Sequence, residues 1–366
     1  MDPVLTTKTA QEAMAGASLE AATLATAVAA SLEGTTLATE VAAPVEETSL
    51  ATGVAVPVSP WLNPTQLERP SFLLNFPFSY STDVANNVWM QDLPLEKREP
   101  NFKRAAIQFL ELYRCLSAEA LVYLLPTPRG VDLQDLVFTA NLGIVLEHLP
   151  DRNTVVISNF SSEPRRNETE VGVRFFRDMG YEVFVPSTKF EGEAELKHLY
   201  DNVYIGGYGT RSERETYDWM ERTFGMRIIR VRLVDPYLYH LDCLIFPITR
   251  ESTLVCTELL DESEVAEIES ATNIISVSAD DCYSGICNSV RLPKTVLNSS
   301  HIYELKAGTE DYTRERQKNR TLEEIASNLA LEVGYFNLSE YHKSGALLSC
   351  MVMHLNRHPY RIALTA

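Results

Sequence analysis

The segment SGALLSC, Ser344 to Cys350, ends on a thiol and runs directly into MVMHL. A cysteine there has two readings. It is a small apolar residue on a buried last strand, the usual lot of a free cysteine, or it is a nucleophile, which needs thiolate character and a base to take its proton. Upstream, VDPYLYHLDCLIFPI sets His240 and Asp242 two residues apart. On a strand they would share one face. A carboxylate beside an imidazole raises its pKa and fixes its ring, which suits a general acid/base; a hydrogen-bonded structural histidine fits the same spacing. KFEGEAE alternates Glu191, Glu193 and Glu195 with Gly192 and Ala194. Three carboxylates on one strand face would repel, and a cation, a metal or an organic guanidinium, would relieve them; a solvated acidic edge is the plain alternative. In GGYGTRSERE, Gly206, Gly207 and Gly209 precede Arg211, whose guanidinium fork matches a carboxylate, although the glycines do not form a phosphate-binding GxGxxG. Asn87 in ANNVWM and Asn141 in FTAN carry amides that accept from a guanidinium N–H without adding charge; satisfying a turn backbone explains them equally.

The elements that must hold these residues alternate. Strand-like runs are DLVFTANLGIVL, TVVISNF, YEVFVP, NVYIGGYG, RIIRVRLV, DCLIFPI, STLVCTEL and NIISVSA. Helical stretches lie between them. SERETYDWMERTFG opens with Ser212 and Glu215 at capping-box spacing, DESEVAEIESA starts on Asp261, and RTLEEIASNLALEVG offers Thr321 and Glu324 as a further box and ends on Gly334. The polar run KAGTEDYTRERQKN (306–319) reads as a surface insertion. Strand–helix alternation predicts an α/β fold. Residues 61–366 are expected to form a single catalytic domain, since no composition break divides them. Residues 1–60 differ: 18–30, 31–43 and 44–56 are three copies of one 13-residue, aromatic-free unit. Such a segment buries too little surface to offset chain entropy and predicts a disordered tail.

Composition narrows the function. The net charge of −18 over 366 residues argues against a nucleic-acid surface or an anionic membrane as partner. No apolar window is long enough to span a bilayer, and the N-terminus lacks a secretory layout. The six cysteines, Cys115, Cys243, Cys256, Cys282, Cys287 and Cys350, are scattered without a CxxC. A cytoplasmic, reduced protein is expected. No metal-ligand spacing, GxSxG, Walker A or HExxH occurs, so neither metal nor cofactor is expected.

The order of the segments says more than any one of them. SYSTDVANNVWM, DLVFTAN, FEGEAE, YIGGYGTRS, DPYLYHLD, CNSV and SEYHKSGALLSC follow one another over residues 70–357. In this the chain resembles the guanidine-modifying (pentein) superfamily of arginine deiminases, dimethylarginine dimethylaminohydrolases and amidinotransferases. It looks most like the arginine dihydrolases that convert arginine to ornithine. The resemblance implies a five-bladed, pseudo-symmetric α/β propeller of ββαβ units. It implies Cys350 as nucleophile, His240 as general acid/base, and Glu191 and Asp242 as guanidinium binders, Glu191 also in proton traffic. Asn87 and Asn141 stand where deiminase-type relatives carry acids. Arg211, with Arg165 of SEPRRNE as a second clamp, would hold a substrate carboxylate.

The chain departs from the family pattern in three places. Leu347 and Leu348 put bulk where small residues usually precede the cysteine. Ala194 and Glu195 replace a Gly-Asp pair, and LQDL lacks a proline before its aspartate. Three functions stay open: an arginine hydrolase releasing ornithine, carbon dioxide and ammonia; a deiminase or dimethylarginine hydrolase stopping at citrulline; and an idle arginine-binding relative. The expected partner is a small substrate, arginine or a substituted arginine, and a homo-oligomer is left open.

Overall fold

The computed structural model describes residues 63–361. The repeat-bearing tail expected at 1–60 lies outside the described residues. Fifteen strands among the described residues pair into five three-stranded sheets. In the first, β1 (Ser71–Leu74) leads through helix α1 (Phe102–Glu119) to β2 (Leu121–Leu124), which lies parallel to β1. The other four repeat one plan. An antiparallel pair is followed by a helix, and a third strand returns parallel to the second, as a parallel connection requires. The second blade is β3 (Gly143–Val145), β4 (Thr154–Ile157), α2 (Glu168–Asp178) and β5 (Glu182–Phe184). The third is β6 (Leu196–Tyr200), β7 (Val203–Tyr208), α3 (Arg214–Phe224) and β8 (Arg227–Arg232). The fourth is β9 (Ile245–Pro247), β10 (Ser252–Val255), α4 (Glu262–Glu269) and β11 (Asn273–Ser276). The fifth is β12 (Val290–Arg291), β13 (Thr295–Ser299), α5 (Glu310–Asn328) and β14 (Glu332–Phe336). The last strand, β15 (Met353–Asn356), then pairs antiparallel with β1 and completes the first blade. The result is the expected five-bladed pseudo-symmetric α/β propeller.

The middle strands are apolar because both faces are covered. All of β4, TVVI, is buried, as expected of a strand enclosed by helix on one side and channel on the other. Four apolar clusters fill the blades; the largest runs from Val203 and Ile205 of β7 through Leu254 and Val255 of β10 to Leu322 and Ala326 of α5.

Three local expectations are corrected. The run 306–319 is no surface insertion but mostly the first half of α5, with Thr321 inside the helix. Thr309 caps it by accepting from the Tyr312 N–H at 3.3 Å, Arg314 pairs with Glu310 one turn away, and Thr321 donates back to the Gln317 carbonyl at 3.1 Å. Polar composition hid this helix because it turns only Glu315, Lys318, Asn319, Leu322 and Ala326 inward. Gly334, expected as its stop, lies in β14. At α3 the cap residue is Glu213, without a side-chain cap bond, and Ser212 instead accepts the Glu191 N–H at 3.2 Å. Asp261 opens α4 as expected, and it forms a capping box with Glu264.

Candidate active site

The fold delivers side chains to its centre by one repeated device. Just before the first strand of the antiparallel pair, four blades carry a three-residue 3-10 turn: Thr139–Asn141, Gly192–Ala194, Leu241–Cys243 and Ser349–Met351. In the fifth blade Ile286, Cys287 and Asn288 occupy the same place ahead of β12. The residue before each turn includes Glu191 and His240; the middle residue includes Glu193, Asp242 and Cys350; the last includes Asn141 and Asn288. So His240 and Asp242 do not share a strand face, and Glu191, Glu193 and Glu195 do not form one acidic row. The turns pack closely at the centre. Gly192 has φ 64°, and a Cβ there would lie 2.6 Å from the Ala140 carbonyl oxygen, so only glycine fits.

On one face these turns border a narrow cleft lined by Asn87, Asn141, Arg165, Arg211, His240 and Cys350 together with Asn86, Asp135, Phe138, Tyr239, Ser344 and Ala346. His240 donates from Nε2 to Glu191 Oε2 at 2.8 Å, and the Asn141 amide lies 3.4 Å from the same nitrogen. Glu191 Oε1 accepts from Ser161 Oγ at 2.7 Å and from the Ser161 N–H at 3.3 Å, and Arg211 Nη1 stands 3.6 Å away. Arg211 also donates to the Asn86 carbonyl at 2.7 Å and lies over the Tyr239 ring at 4.9 Å. Asp242 Oδ2 accepts from Ser349 Oγ at 2.7 Å and lies 3.8 Å from Cys350 Sγ.

Burial sets the protonation states. It pushes the Cys350 thiol up to about 12, and the Asp242 charge adds to that rise. It also lowers His240, and the Glu191 hydrogen bond and charge only partly oppose this. Burial alone would raise Glu191, but the His240 hydrogen bond and the Arg211 charge hold it well below the usual carboxylate range. Glu195, fully buried behind the turn, goes the other way: desolvation, then the neighbouring Glu191 and Asp242 charges, place it well above the usual value. At neutral pH the centre therefore holds a thiol, a neutral imidazole and an ionised Glu191, with Glu195 shifted toward its protonated form.

The residues expected to react or to bind substrate all border this region, though two are differently employed, whereas Glu193 of the acidic run lines a separate cavity, accepts from the His354 N–H at 2.8 Å and pairs with Arg357 at 3.0 Å. The Asn87 amide caps the helix Val88–Asp92 through the Met90 N–H at 3.0 Å and donates to the Ser344 carbonyl at 2.9 Å, so it braces the cleft wall. Arg165 is gripped by Glu168 through Nε at 3.1 Å and Nη2 at 2.7 Å and stacks on Phe160 at 4.6 Å. Leu347 and Leu348 do not narrow the approach to the thiol. Leu347 lines a different cavity, beside Trp89 and His342, and Leu348 is buried in the core. Three residues were missed. Asp135, the aspartate of LQDL, lines the cleft, accepts from Asn86 at 2.6 Å, and has no hydrogen-bond partner at Oδ1 among the described residues. Asn86 also takes the Arg211 bond. Asn288 donates to Cys350 Sγ at 3.4 Å. The sequence signal for Asp135 was an acid preceding an apolar run; Asn288 had none beyond its place in CNSV.

A propeller built of ββαβ units with thiol, imidazole and carboxylates at its centre defines a guanidine-modifying protein of the pentein type. Residues 74–357 match the eukaryotic N,N-dimethylarginine dimethylhydrolase family, and the chain belongs to it. Among curated proteins it is 26% identical over 292 residues to the bifunctional arginine dihydrolase/ornithine cyclodeaminase AgrE of a Nostoc species, covering 78% of this chain and 38% of that protein. It is 25% identical over 283 residues to the like-named ArgZ of a Synechocystis species, covering 76% and 36%. The chain thus spans little more than a third of the length of these relatives. The crystal structure of unliganded AgrE superposes with a TM-score of 0.67 at 26% identity, over 79% of this chain and 39% of that one. A dimethylarginine dimethylaminohydrolase adduct with S-methyl-L-thiocitrulline shares the fold at a TM-score of 0.57 and 18% identity, over 78% of this chain and 99% of that one.

Proposed function

We propose that the chain is a cysteine-dependent hydrolase of the guanidino group of arginine, giving ornithine, carbon dioxide and two ammonia. The observation that carries this is one cleft lined by the Cys350 thiol and His240, with Glu191 bonded to His240 and Asp242 against the sulfur. A guanidinium carbon is a poor electrophile because its charge is delocalised, so it calls for a sulfur nucleophile and a held cation. Glu191 accepts the Nε2–H hydrogen bond of His240 and so holds the tautomer that leaves Nδ1 with a lone pair for the thiol proton. A cationic substrate beside Asp242 and Glu191 offsets the negative surroundings that raise Cys350, and proton transfer to His240 becomes favourable on binding. The thiolate attacks the guanidinium carbon, His240 protonates departing ammonia, and a thiouronium forms. Neutral His240 then deprotonates water, which displaces the sulfur and leaves a ureido group. In a second round the thiolate displaces the other ammonia from the ureido carbon. Water cleaves the resulting thiocarbamate, and the carbamate loses carbon dioxide; two waters are consumed in all. Asn141, a neutral amide beside the dyad, suits a neutral ureido substrate. Arg211 is placed for the substrate carboxylate, with Arg165 in support, and Asp135 for the α-ammonium.

The names of AgrE and ArgZ, and an AgrE cysteine-to-alanine variant solved with L-arginine, support arginine as substrate. The family match favours a second reading, hydrolysis of dimethylarginine to citrulline. Incubation with arginine separates them: about two ammonia per ornithine supports the first, citrulline with one ammonia the second, and binding without turnover refutes both. Six unpaired cysteines, two of them less than fully buried, fit a cytoplasmic setting. We read residues 61–366 as the catalytic domain and 1–60 as a tail outside the chemistry. Among the described residues, no helix is long and apolar enough to cross a membrane.

A further inference from the structure

Asn288 stands in the fifth blade where Asn141 stands in the second, at the last of the three positions that precede the first strand by one residue. Asn141 meets the acid/base; Asn288 meets the nucleophile. Its amide orientation is dictated by its neighbours. The Ser349 N–H points at one end from 2.8 Å and needs an acceptor there, so that end is the carbonyl Oδ1. The other end is then NH2, and it faces Cys350 Sγ at 3.4 Å. The side chain is buried, 3% exposed, so its donor has little competition from water.

The loop under it is held unusually firmly. The Asn298 amide donates to the carbonyls of Gly285 at 2.9 Å and Ile286 at 3.4 Å and to Ser289 Oγ at 2.8 Å. Asn298 Oδ1 in turn accepts from Lys318 Nζ at 3.0 Å, a lysine with no exposed surface that also binds the Ser299 carbonyl at 2.6 Å and Glu315 at 3.0 Å. A fully buried ammonium is costly unless completely partnered. Here its three bonds tie α5 and β13 to the loop that aims Asn288.

We propose that Asn288 is a catalytic residue that donates Nδ2–H to the sulfur of Cys350 and stabilises it as thiolate when the proton leaves for His240. The amide is a neutral side-chain donor, beside the Leu347 backbone, on a sulfur whose nearest charged neighbour, Asp242 at 3.8 Å, opposes ionisation. The other titratable groups around the sulfur are Lys197, Tyr239 and Cys243, and His240 and Arg211 line the same cleft. A hydrogen bond to a charged acceptor is stronger than one to a neutral acceptor, so the donor favours the thiolate.

The inference rests on Cys350 as nucleophile but not on the identity of the substrate, and its test needs none. Iodoacetamide alkylation of Cys350, followed by mass spectrometry of its peptide, reports the thiolate fraction across about pH 8 to 10. Asn288→Ala should slow alkylation at each pH by roughly 10- to 100-fold, with the rate still rising in proportion to hydroxide. Asn288→Asp keeps an oxygen for the Ser349 N–H but loses the donor and should slow alkylation at least as much, which separates donation from support of the turn. An Asn288→Asp enzyme alkylated at the native rate would overturn the proposal. So would an Asn288→Ala enzyme that loses turnover and thermal stability together while its alkylation profile stays unchanged.

Discussion

Glu191→Gln tests the dyad most directly. Glu191 accepts from two partners at opposite ends: Ser161, by Oγ–H and N–H, on Oε1, and His240 Nε2–H on Oε2. Glutamine has one acceptor end. Ser161 brings two donors and Arg211 stands 3.6 Å from the same oxygen, so the carbonyl must turn to them and the NH2 must face His240. The imidazole can meet an NH2 only with Nε2 unprotonated. The ring therefore changes tautomer, and Nδ1 carries a hydrogen where it needs a lone pair for the thiol proton. Loss of the Glu191 charge also lowers the His240 pKa further, since that charge and its hydrogen bond are what oppose burial. Inverting a catalytic histidine tautomer in this way costs roughly a thousand- to ten-thousand-fold in kcat, about 4 to 5.5 kcal/mol of barrier. The assay is ammonia release from saturating arginine, with nitrogen NMR of the His240 ring to read the tautomer and a melting curve to show that the fold survives. A Glu191→Gln enzyme keeping more than about a tenth of native kcat would refute this account of the dyad.

Cys350→Ser should abolish turnover while leaving the melting temperature near native, because an alcohol of similar size replaces a thiol that burial already keeps neutral; residual steady-state turnover would remove Cys350 from the reaction. Glu195 binds its proton more tightly folded than unfolded, so its contribution to stability is full below the ordinary carboxyl pKa and drains as pH rises through the raised value. Glu195→Gln stays neutral and keeps an oxygen for the Leu241 N–H, which Glu195 holds at 3.3 Å. Its melting temperature should therefore gain on native as pH rises above the ordinary carboxyl value of 4.5; a pH-independent difference would contradict that. Asn141→Asp places a carboxylate beside Nε2 and should shift products from ornithine toward citrulline. Asn87→Asp strips the amide donors that brace Ser344 and Asn86 and should lower stability instead. Unchanged product ratios in the first variant would remove the amide from substrate choice.

The chemistry was legible where its side chains are rare and pointed: a cysteine after a loop, His240 beside Asp242, glutamates alternating with small residues. What the chain conceals is its repetition. Thr-Ala-Asn, Gly-Glu-Ala, Leu-Asp-Cys, Ile-Cys-Asn and Ser-Cys-Met share no pattern of residue types, yet they occupy one position in five blades. The repeat lies in backbone register, and each turn has been given different side-chain work. This also explains why strand periodicity misled at His240 and Asp242, where a 3-10 turn aims successive side chains in different directions. Asn288 escaped because an amide in a loop has many ordinary uses, and only the neighbouring Ser349 N–H shows which way it faces. The helix at 310–328 was split because most of its surface is wet and its buried side is partly polar.

β15 closes the ring against β1, and Cys350, the proposed nucleophile, sits three residues ahead of that strand. Asn356, in that strand, donates to the carbonyls of Pro64 at 2.8 Å and Arg69 at 2.7 Å, and Thr65 donates to Leu355 at 2.7 Å. These contacts join chain regions separated by almost the whole fold, and such pairings form late because the intervening loop entropy is spent first. The neighbours of Cys350, Asp242 and Asn288, come from the turns that precede the first strands of the fourth and fifth blades. The proposed nucleophile is therefore assembled from three blades, and on the proposed function turnover reports that they have met.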